Sequence, residues 1–506
     1  MKRLILLFIG VIVMPTMFAQ TITDAVRFSE NEVNGTARFR AMSGAFGALG
    51  GDLSAISINP AGSAVYNRPT VALSISNLDI DNAAEYFGNV NRSSNSEFDL
   101  GQVGGVFVFN NTNMDSPWRK FTLGIAYEQT ASYDNDFFAS GINTRSIDSY
   151  FLANAQGLRL DEISVLEGES ISDAYSEIGF LFGYPHQQAL LGFESFILEP
   201  DDINDDANTV YFSNIAPGSF NQEYSYVANG YNGKLTFNAA IQHQDNIFLG
   251  LNLNSHFIDY NRFTYLYEGN SNPGSFVTEV GFENILRTTG NGFSFQLGGI
   301  AKLSDAVRLG FTYDSPTWYQ IEEDTTQYLA TVIDDGNGTS TIVLDPRIVN
   351  IFPRYDLRTP AKYTGSIALV LSNSGLISFD YSRKDYSNTK LKPESDPAFV
   401  VQNNLISNAL KAANIYRIGG ELRHNQFSFR AGYRLEESPY EDDSFYGDLT
   451  GYSLGLGYSF GSAKLDLAYQ NSERTVSYQL YDVGLTDAAK VKADNSELTL
   501  TLSLSL

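Results

Sequence analysis

The end of the chain alternates strictly: Leu498, Leu500, Leu502, Leu504 and Leu506 fall on one set of positions, Thr499, Thr501, Ser503 and Ser505 on the other. Side chains of a strand point to opposite faces in turn, so the segment reads as a strand with one oily and one wet face. The pattern recurs upstream. Tyr452, Leu454, Leu456, Tyr458 and Phe460 alternate with Ser453, Gly455, Gly457 and Ser459, and Phe427, Phe429, Ala431, Tyr433 and Leu435 with Ser428, Arg430, Gly432 and Arg434. Ile247, Leu249, Leu251 and Leu253 oppose Gly250, Asn252 and Asn254, and Val307, Leu309, Phe311 and Tyr313 oppose Arg308, Thr312 and Asp314.

About fourteen such strands are expected, near 68–80, 97–110, 119–133, 222–242, 246–269, 278–302, 305–324, 355–373, 374–388, 414–424, 425–437, 450–460, 462–474 and 495–506. Their connections differ in length. Tight ones fall at His243-Gln-Asp245, Ser304, Ser372-Asn-Ser-Gly375, Asn425 and Gly461, and long ones at 134–221, 325–354, 389–413 and 475–494. A soluble sandwich also alternates, but it predicts similar short loops at both ends. Short turns on one side, long loops on the other and an even strand number describe a transmembrane β-barrel. Segments such as 246–269 also exceed the five or six residues usual in soluble sheets. The expected fold is therefore all-β, a roughly 14-stranded antiparallel transmembrane barrel over 67–506.

The N-terminus fits export. Lys2 and Arg3 precede an apolar run from Leu4 to Val13, and Ala19 offers a small residue before a cut at Gln20, which predicts a signal peptide over 1–19. That run is about half the roughly 20 residues a spanning helix needs. The chain has no cysteine, which excludes disulfides, thiolate metal sites and a catalytic thiol. A formal net charge of -25 argues against nucleic acid, which needs a basic footprint. Much of the acid lies in runs such as 199–206 and Glu441-Asp-Asp443, which read as solvated loops.

Between the leader and the first strand, residues 20–66 carry Gly44, Gly47, Gly50, Gly51 and Gly62 with Ala41, Ala45, Ala48 and Ala55. Glycine permits close approach and backbone shapes closed to other residues, which suits a compact, irregular segment held in a confined lumen. Asn59-Pro60 supplies a turn. A phosphate-binding loop fits poorly: Gly44-x-x-Gly47-x-x-Gly50 is not G-x-G-x-x-G, and no Gly-Lys-Ser/Thr follows. The expected inward positions include Arg308, Asp314, Asp380, Arg417, Glu421, Arg423, Arg430, Arg434 and Asp466. Such a mixture of signs suits either a water-filled channel or a wall gripping an inserted plug. Asp52, sealed in a lumen, needs a cation, and Arg417, Arg430 or Arg434 is the expected partner.

The run Ala37-Arg-Phe-Arg-Ala-Met-Ser-Gly44 through Asp52, with Asn59-Pro60-Ala61 and Arg68-Pro69, resembles the N-terminal hatch of the FadL/TodX family of outer-membrane transporters for hydrophobic compounds. Thr359-Pro360 opening a strand that ends in Phe379-Asp380-Tyr381, and Ile418-Gly-Gly-Glu-Leu-Arg423 before Phe429-Arg-Ala-Gly-Tyr433, are similar to the family's later strands. The resemblance implies passive uptake of long-chain fatty acids, aromatic hydrocarbons or similar molecules across the bacterial outer membrane. It implies a hatch that shifts when ligand binds, with Gly44, Gly47, Gly50, Gly51, Asp52, Asn59, Pro60 and Ala61 as the ligand and gating residues. Ligand would leave sideways into the bilayer through a wall defect, for which Gly124 in the third strand is a candidate. No cofactor is implied, and the partners expected of a monomeric barrel are its hydrophobic ligand and outer-membrane lipid. A barrel of the same fold serving a secretion system or a structural partner is the alternative, and an open porin is a further one.

The connection 134–221 is too long for idle coil. Helical spacing links Ile147, Tyr150, Phe151, Asn154 and Leu158, and again Ile171, Ala174, Tyr175, Ile178, Leu181 and Phe182. Such stripes either pack the loop on itself or form an oily canopy that captures ligand. In the second case Phe151, Leu158, Tyr175, Ile178, Phe182, Leu191 and Phe193 would do so. Enzymatic chemistry is not expected. Gly451-Tyr-Ser453-Leu-Gly455 matches the hydrolase elbow but lies inside an alternating strand. His186, His243, His256 and His424 lack zinc-site spacing.

Overall fold

The computed structural model describes residues 22–113, 115–372 and 374–506; the expected signal peptide lies outside the described residues. Fourteen antiparallel strands run in chain order around a closed wall: β1 (Thr70–Tyr86), β2 (Asn89–Asn110), β3 (Trp118–Ser132 and Asn135–Asn143), β4 (Phe220–His243), β5 (Ile247–Gly269), β6 (Val277–Lys302), β7 (Val307–Asp314 and Trp318–Asp334), β8 (Tyr355–Arg358 and Lys362–Leu371), β9 (Gly375–Asp385 and Lys390–Lys392), β10 (Ala412–His424), β11 (Phe427–Glu436), β12 (Leu449–Ser459), β13 (Ala463–Gln479) and β14 (Ala488–Ser505). The last strand returns to the first, from Thr70↔Ser505 to Glu85↔Lys490, so the sheet has no free long edge. No described helix is long and apolar enough to cross a membrane.

The two-residue period sets the two faces. Along β12 and β14, Leu454, Leu456, Leu500 and Leu502 are exposed on the outside while Ser453, Thr499 and Thr501 are buried inside. Where the expected strands stop early, the reason is chemical. Residues 81–96 were expected as a connection, yet β1 and β2 continue through them to a two-residue turn at Phe87-Gly88. Asp81, Asn82, Glu85, Asn89 and Asn91 put polar groups on both faces of that hairpin, so it carries no alternating signal. The 325–354 connection also begins as strand: upper β7 runs on to Asp334 and pairs with Thr339–Leu344.

Inward positions fall into two tiers. Nearer the short turns they are polar, as in Thr122, Asn238, Asn252, Gln296, Asp380 and Thr501. Nearer the long loops apolar and aromatic side chains join them: Tyr226, Tyr260, Phe282, Ile321, Leu329 and Leu357 are buried there, beside the buried polar Gln222, Glu268, Glu323 and Gln327. The N-terminal segment contributes α1 (Ile22–Arg27), α2 (Ala37–Arg40), α3 (Ala55–Ile58) and a 3-10 turn at Pro60–Val65. Above the barrel mouth the long connection folds into α4 (Asp148–Ala155), α5 (Ile171–Phe182), α6 (Tyr184–Glu194) and a small hairpin pairing Leu198–Pro200 with Tyr211–Ser213; α7 (Pro397–Ala409) stands in the connection after β9.

Candidate functional site

The segment from α1 to the 3-10 turn lies inside the wall, held by hydrogen bonds from nearly every direction. The amide of Ala37 donates to Thr501 Oγ1 on β14 (2.7 Å), and Gly47 N to Asp380 Oδ2 on β9 (2.9 Å). Gln296 Nε2 on β6 donates to Ser57 O (2.9 Å), Asn252 Nδ2 on β5 to Ile56 O (2.9 Å), and Asn238 Nδ2 on β4 to Pro60 O (2.9 Å). Ser63 meets Thr122 on β3 at 2.9 Å, and Ser54 Oγ donates to Gln102 on β2 at 2.7 Å. The lower polar tier therefore serves to satisfy backbone groups that an irregular buried segment would otherwise strand.

The Asn-Pro-Ala turn is one of these anchors. Asn59 is extended and its Oδ1 accepts from Ala61 N, capping the 3-10 turn, while Nδ2 donates to Gly47 O (2.7 Å) and to Gly299 O on β6 (3.0 Å). Gly50 and Gly51 have φ of +63° and +67°, a region costly for other residues. Gly44 is also left-handed and packs beside Phe39 and Arg417. Opposite the segment, the wall presents inward glycines on β5, β6, β7, β10, β11 and β12. A Cβ on Gly250, Gly298 or Gly310 would stand 2.3, 2.1 or 2.2 Å from Pro60 C, Asn59 Oδ1 or Gly47 O, and one on Gly419, Gly432 or Gly455 only 2.4–2.5 Å from Met42 or Ala41. Alternation places Gly250, Gly432 and Gly455 at inward positions, but it carries no sign that a second backbone rests on them.

Charge couples segment and wall. Arg38 Nε donates to Glu421 Oε2 on β10 (2.8 Å), and Glu421 also meets Arg430 on β11 (2.7 Å), which reaches Asp466 on β13 (2.7 Å). Arg40 pairs with Glu497 on β14. Asp52 is not paired with Arg417, Arg430 or Arg434, as expected from sequence. Its cation is Arg38 of the same segment, 3.9 Å away, and Oδ1 accepts from Thr36 Oγ1 (2.6 Å) and Ser54 N (3.0 Å). Arg417 and Arg434 instead share Glu436. Burial pushes the Asp52 carboxyl above its usual pKa, with Arg38 opposing. For Arg38 burial works against the charge, but Glu421 and Asp52 override it and hold the guanidinium firmly protonated.

The wall is weakly joined between β2 and β3. β2 pairs with β3 only from Gln102↔Glu128 to Asn110↔Lys120, and the register of β3 against β4 slips between Gln129 and Ala131. Above that level, among the described residues, side chains replace the backbone ladder: Gln129 Nε2 donates to Asp99 (3.1 Å), Ser93 Oγ to Asp136 O (2.7 Å) and Asn91 Nδ2 to Ser140 (3.1 Å). The segment covers the seam from within, through Glu32 N to Thr130 O (2.8 Å) and Ser132 N to Glu32 Oε2 (3.2 Å). Gly124, the candidate kink, lies in continuous pairing with Val106 and Asn238; the irregularity falls further along the strand.

Above the mouth, Phe151, Tyr175, Ile178 and Leu191 are fully buried, and Leu158, Phe182 and Phe193 are partly buried against them. Tyr175 OH donates to Gln327 on β7 (2.6 Å) and the Phe151 ring lies 5.4 Å from Phe282 on β6. These side chains pack the cap onto the upper wall. The same apolar cluster reaches down to Phe28, whose ring is 6.4 Å from Tyr260. Between the N-terminal segment and the wall a space of about 90 Å³ remains beside Glu128, Lys234, His256, Asp314, Lys362 and Lys384, polar and with room for a few waters. Ser453 sits mid-strand, its Oγ 2.8 Å from Ser43 Oγ, so the elbow-like motif meets the N-terminal segment.

No protein-family model matches the chain, and no curated protein does. Among solved structures, a FadL homologue from Pseudomonas aeruginosa is similar over 94% of this chain and 99% of its own, with 13% identity and a TM-score of 0.56. The toluene transporter TodX of Pseudomonas putida matches with 13% identity, the same coverage and a TM-score of 0.52. The barrel thus has the fold of these two proteins.

Proposed function

We propose that this FadL-fold barrel carries hydrophobic small molecules, such as long-chain fatty acids or aromatic hydrocarbons, passively across the bacterial outer membrane. The observation that carries the reading is the aromatic and apolar share of the upper inner wall: Tyr226, Tyr260, Phe282, Ile321, Leu329 and Leu357 are buried among its polar groups, where a water-filled porin is lined by polar side chains. An oily solute on such a path avoids re-exposure to water, worth about 0.8 kcal/mol per CH₂. Residues 20–66 act as a hatch that must shift, since the plug fills the bore. The barrel spans 67–506, with the 134–221 connection as its lid. Gly44, Gly47, Gly50, Gly51, Asp52, Asn59, Pro60 and Ala61 form the moving contact, and Arg417, Glu421, Arg430 and Arg434 belong to the wall that grips it.

The seam above Gln102 and Glu128 is the exit we favour, because it is closed by side chains and by Glu32 of the hatch rather than by a ladder. The barrel works as a monomer, with surrounding lipid receiving the ligand. Cells with and without the gene are compared for uptake of labelled oleate and toluene, with a sugar as control. Faster uptake of the apolar probes alone is expected; equal uptake of all three rejects the reading.

A further inference from the structure

Three neighbouring strands break at one level. β7 is interrupted between Asp314 and Trp318, β8 between Arg358 and Lys362, and β9 between Asp385 and Lys390. Pro316 and Pro360 lie in two of these gaps, and proline cannot donate to a ladder. A recess of about 610 Å³ opens there. It faces outward: Arg358 pairs in register with exposed Trp318, and Tyr363 is exposed, while Tyr355 and Leu357 on the opposite face of β8 are buried.

The recess has a defined height. Below it the outward positions are apolar and exposed, including Phe311, Ile367, Leu369, Ile377 and Phe379. Tyr313, Tyr363 and Tyr381 follow at the next level, as aromatic residues do at a membrane–water boundary. From Leu371 to Tyr363 the strand climbs roughly 20 Å along the barrel axis, against an apolar band of about 25 Å. The recess therefore opens at the headgroup level of the leaflet that faces the long loops.

Its charge is unlike that of the rest of this acidic chain. Arg358, Arg383 and Lys390 line it, and among the described residues none of them forms an ion pair with a carboxylate. Arg383 Nη1 donates only to Asn414 Oδ1 at 3.3 Å. Arg358 and Lys390 are direct cross-strand partners, an arrangement of like charges that is unfavourable unless an anion lies between them. The two acids at the rim are engaged elsewhere. Asp385 accepts from Ser387 N and Oγ, and Glu394 lies 3.7 Å from Lys392.

We propose that this recess binds the phosphate of a phosphomonoester-bearing lipid in that leaflet, its acyl chains lying down the apolar face of β8 and β9. Arginine suits this role because its planar fork can grip two phosphate oxygens. The proposal needs the barrel to sit in a bilayer and nothing of what the lumen carries, so it stands or falls apart from transport. The mature chain in uncharged detergent is titrated with diphosphorylated lipid A, with the dephosphorylated lipid and with inorganic phosphate alone, and retained lipid is counted by native mass spectrometry. One lipid A per barrel is expected. Near a surface each cation is worth about fivefold, so Arg358→Ala/Arg383→Ala/Lys390→Ala should weaken binding roughly a hundredfold. Arg358→Lys/Arg383→Lys should fall between, and Lys492→Ala, elsewhere on the wall, should match the parent. Equal binding by the triple variant, equal retention of dephosphorylated lipid, or full displacement by inorganic phosphate would each overturn the lipid assignment. Unchanged heat-modifiable mobility on gels establishes that the variants are folded barrels.

Discussion

Arg38 makes one of the ionic contacts between the N-terminal segment and the wall, and Arg38→Ala tests it. Its guanidinium is 2.8 Å from Glu421 and 3.9 Å from Asp52, and it lies 5.1 Å from the Phe46 ring. Removing one partner of a buried pair typically costs about 3–5 kcal/mol, because the other charge is stranded. Here the lower end applies. Glu421 keeps Arg430 and Arg423, and Asp52 keeps Thr36 and Ser54, so only the cation facing Asp52 is lost. About 3 kcal/mol multiplies the undocked population of the plug roughly a hundredfold. In planar bilayers the variant should show transient ion-conducting openings about a hundred times more often than the parent.

The pH dependence has a sign. The folded Asp52 pKa lies above its ordinary value, so what this group contributes to docking is greatest below about 3.9 and is lost as pH rises through the folded pKa. Without Arg38 that pKa rises further, so openings of the variant should become rarer as pH is lowered from 7 to 5. Arg38→Ala/Asp52→Asn, which removes the stranded charge, should open less often than Arg38→Ala at neutral pH. Equal opening rates in parent and single variant, or no rescue in the double variant, would refute the argument.

Gly298→Leu forces a side chain where Asn59 Oδ1 stands 2.1 Å from the position of its Cβ, at an expected cost of about 1–3 kcal/mol; trypsin should then cut at Arg38 or Arg40 faster, whereas Gly365→Ala, which meets open space, should leave the rate unchanged. Ser453→Ala removes the bonds to Ser43 N and Oγ, which costs about 1 kcal/mol of plug stability, and it should leave any esterase activity of the preparation untouched. Phe151→Ala should destabilise the cap by about 3–5 kcal/mol, seen as faster amide hydrogen exchange in α4 and α6, while Phe180→Ala, 86% exposed, should not.

Most of the barrel was legible because one lipid-facing and one polar inner face impose a period of two on every spanning segment. The N-terminal segment carries a different signal: its glycines and the Asn59-Pro60 turn suit the irregular, buried packing that its bonds to the wall show. Where both faces of a strand are polar, as in 81–96, the pattern vanished although the backbone pairing persists. Asp52 meets Arg38, fourteen residues earlier, rather than a wall arginine, because alternation places a side chain inside the barrel but says nothing of which segment reaches it first. The stripes in the 134–221 connection gave the helices correctly, yet spacing alone could not distinguish an exposed collecting surface from the packed cap that buries Phe151 and Ile178.

The closure of β14 on β1 joins the two ends of the chain from Thr70↔Ser505 onward. The segment before β1 bonds to β2 as well as to β14, so its contacts join parts of the chain that lie far apart in sequence. Assembly must therefore keep the leading segment within the curling sheet until the terminal strand zips up beside the first. Contacts so distant in sequence form slowly, so the zipping of β14 beside β1 is expected to be the slow step of folding.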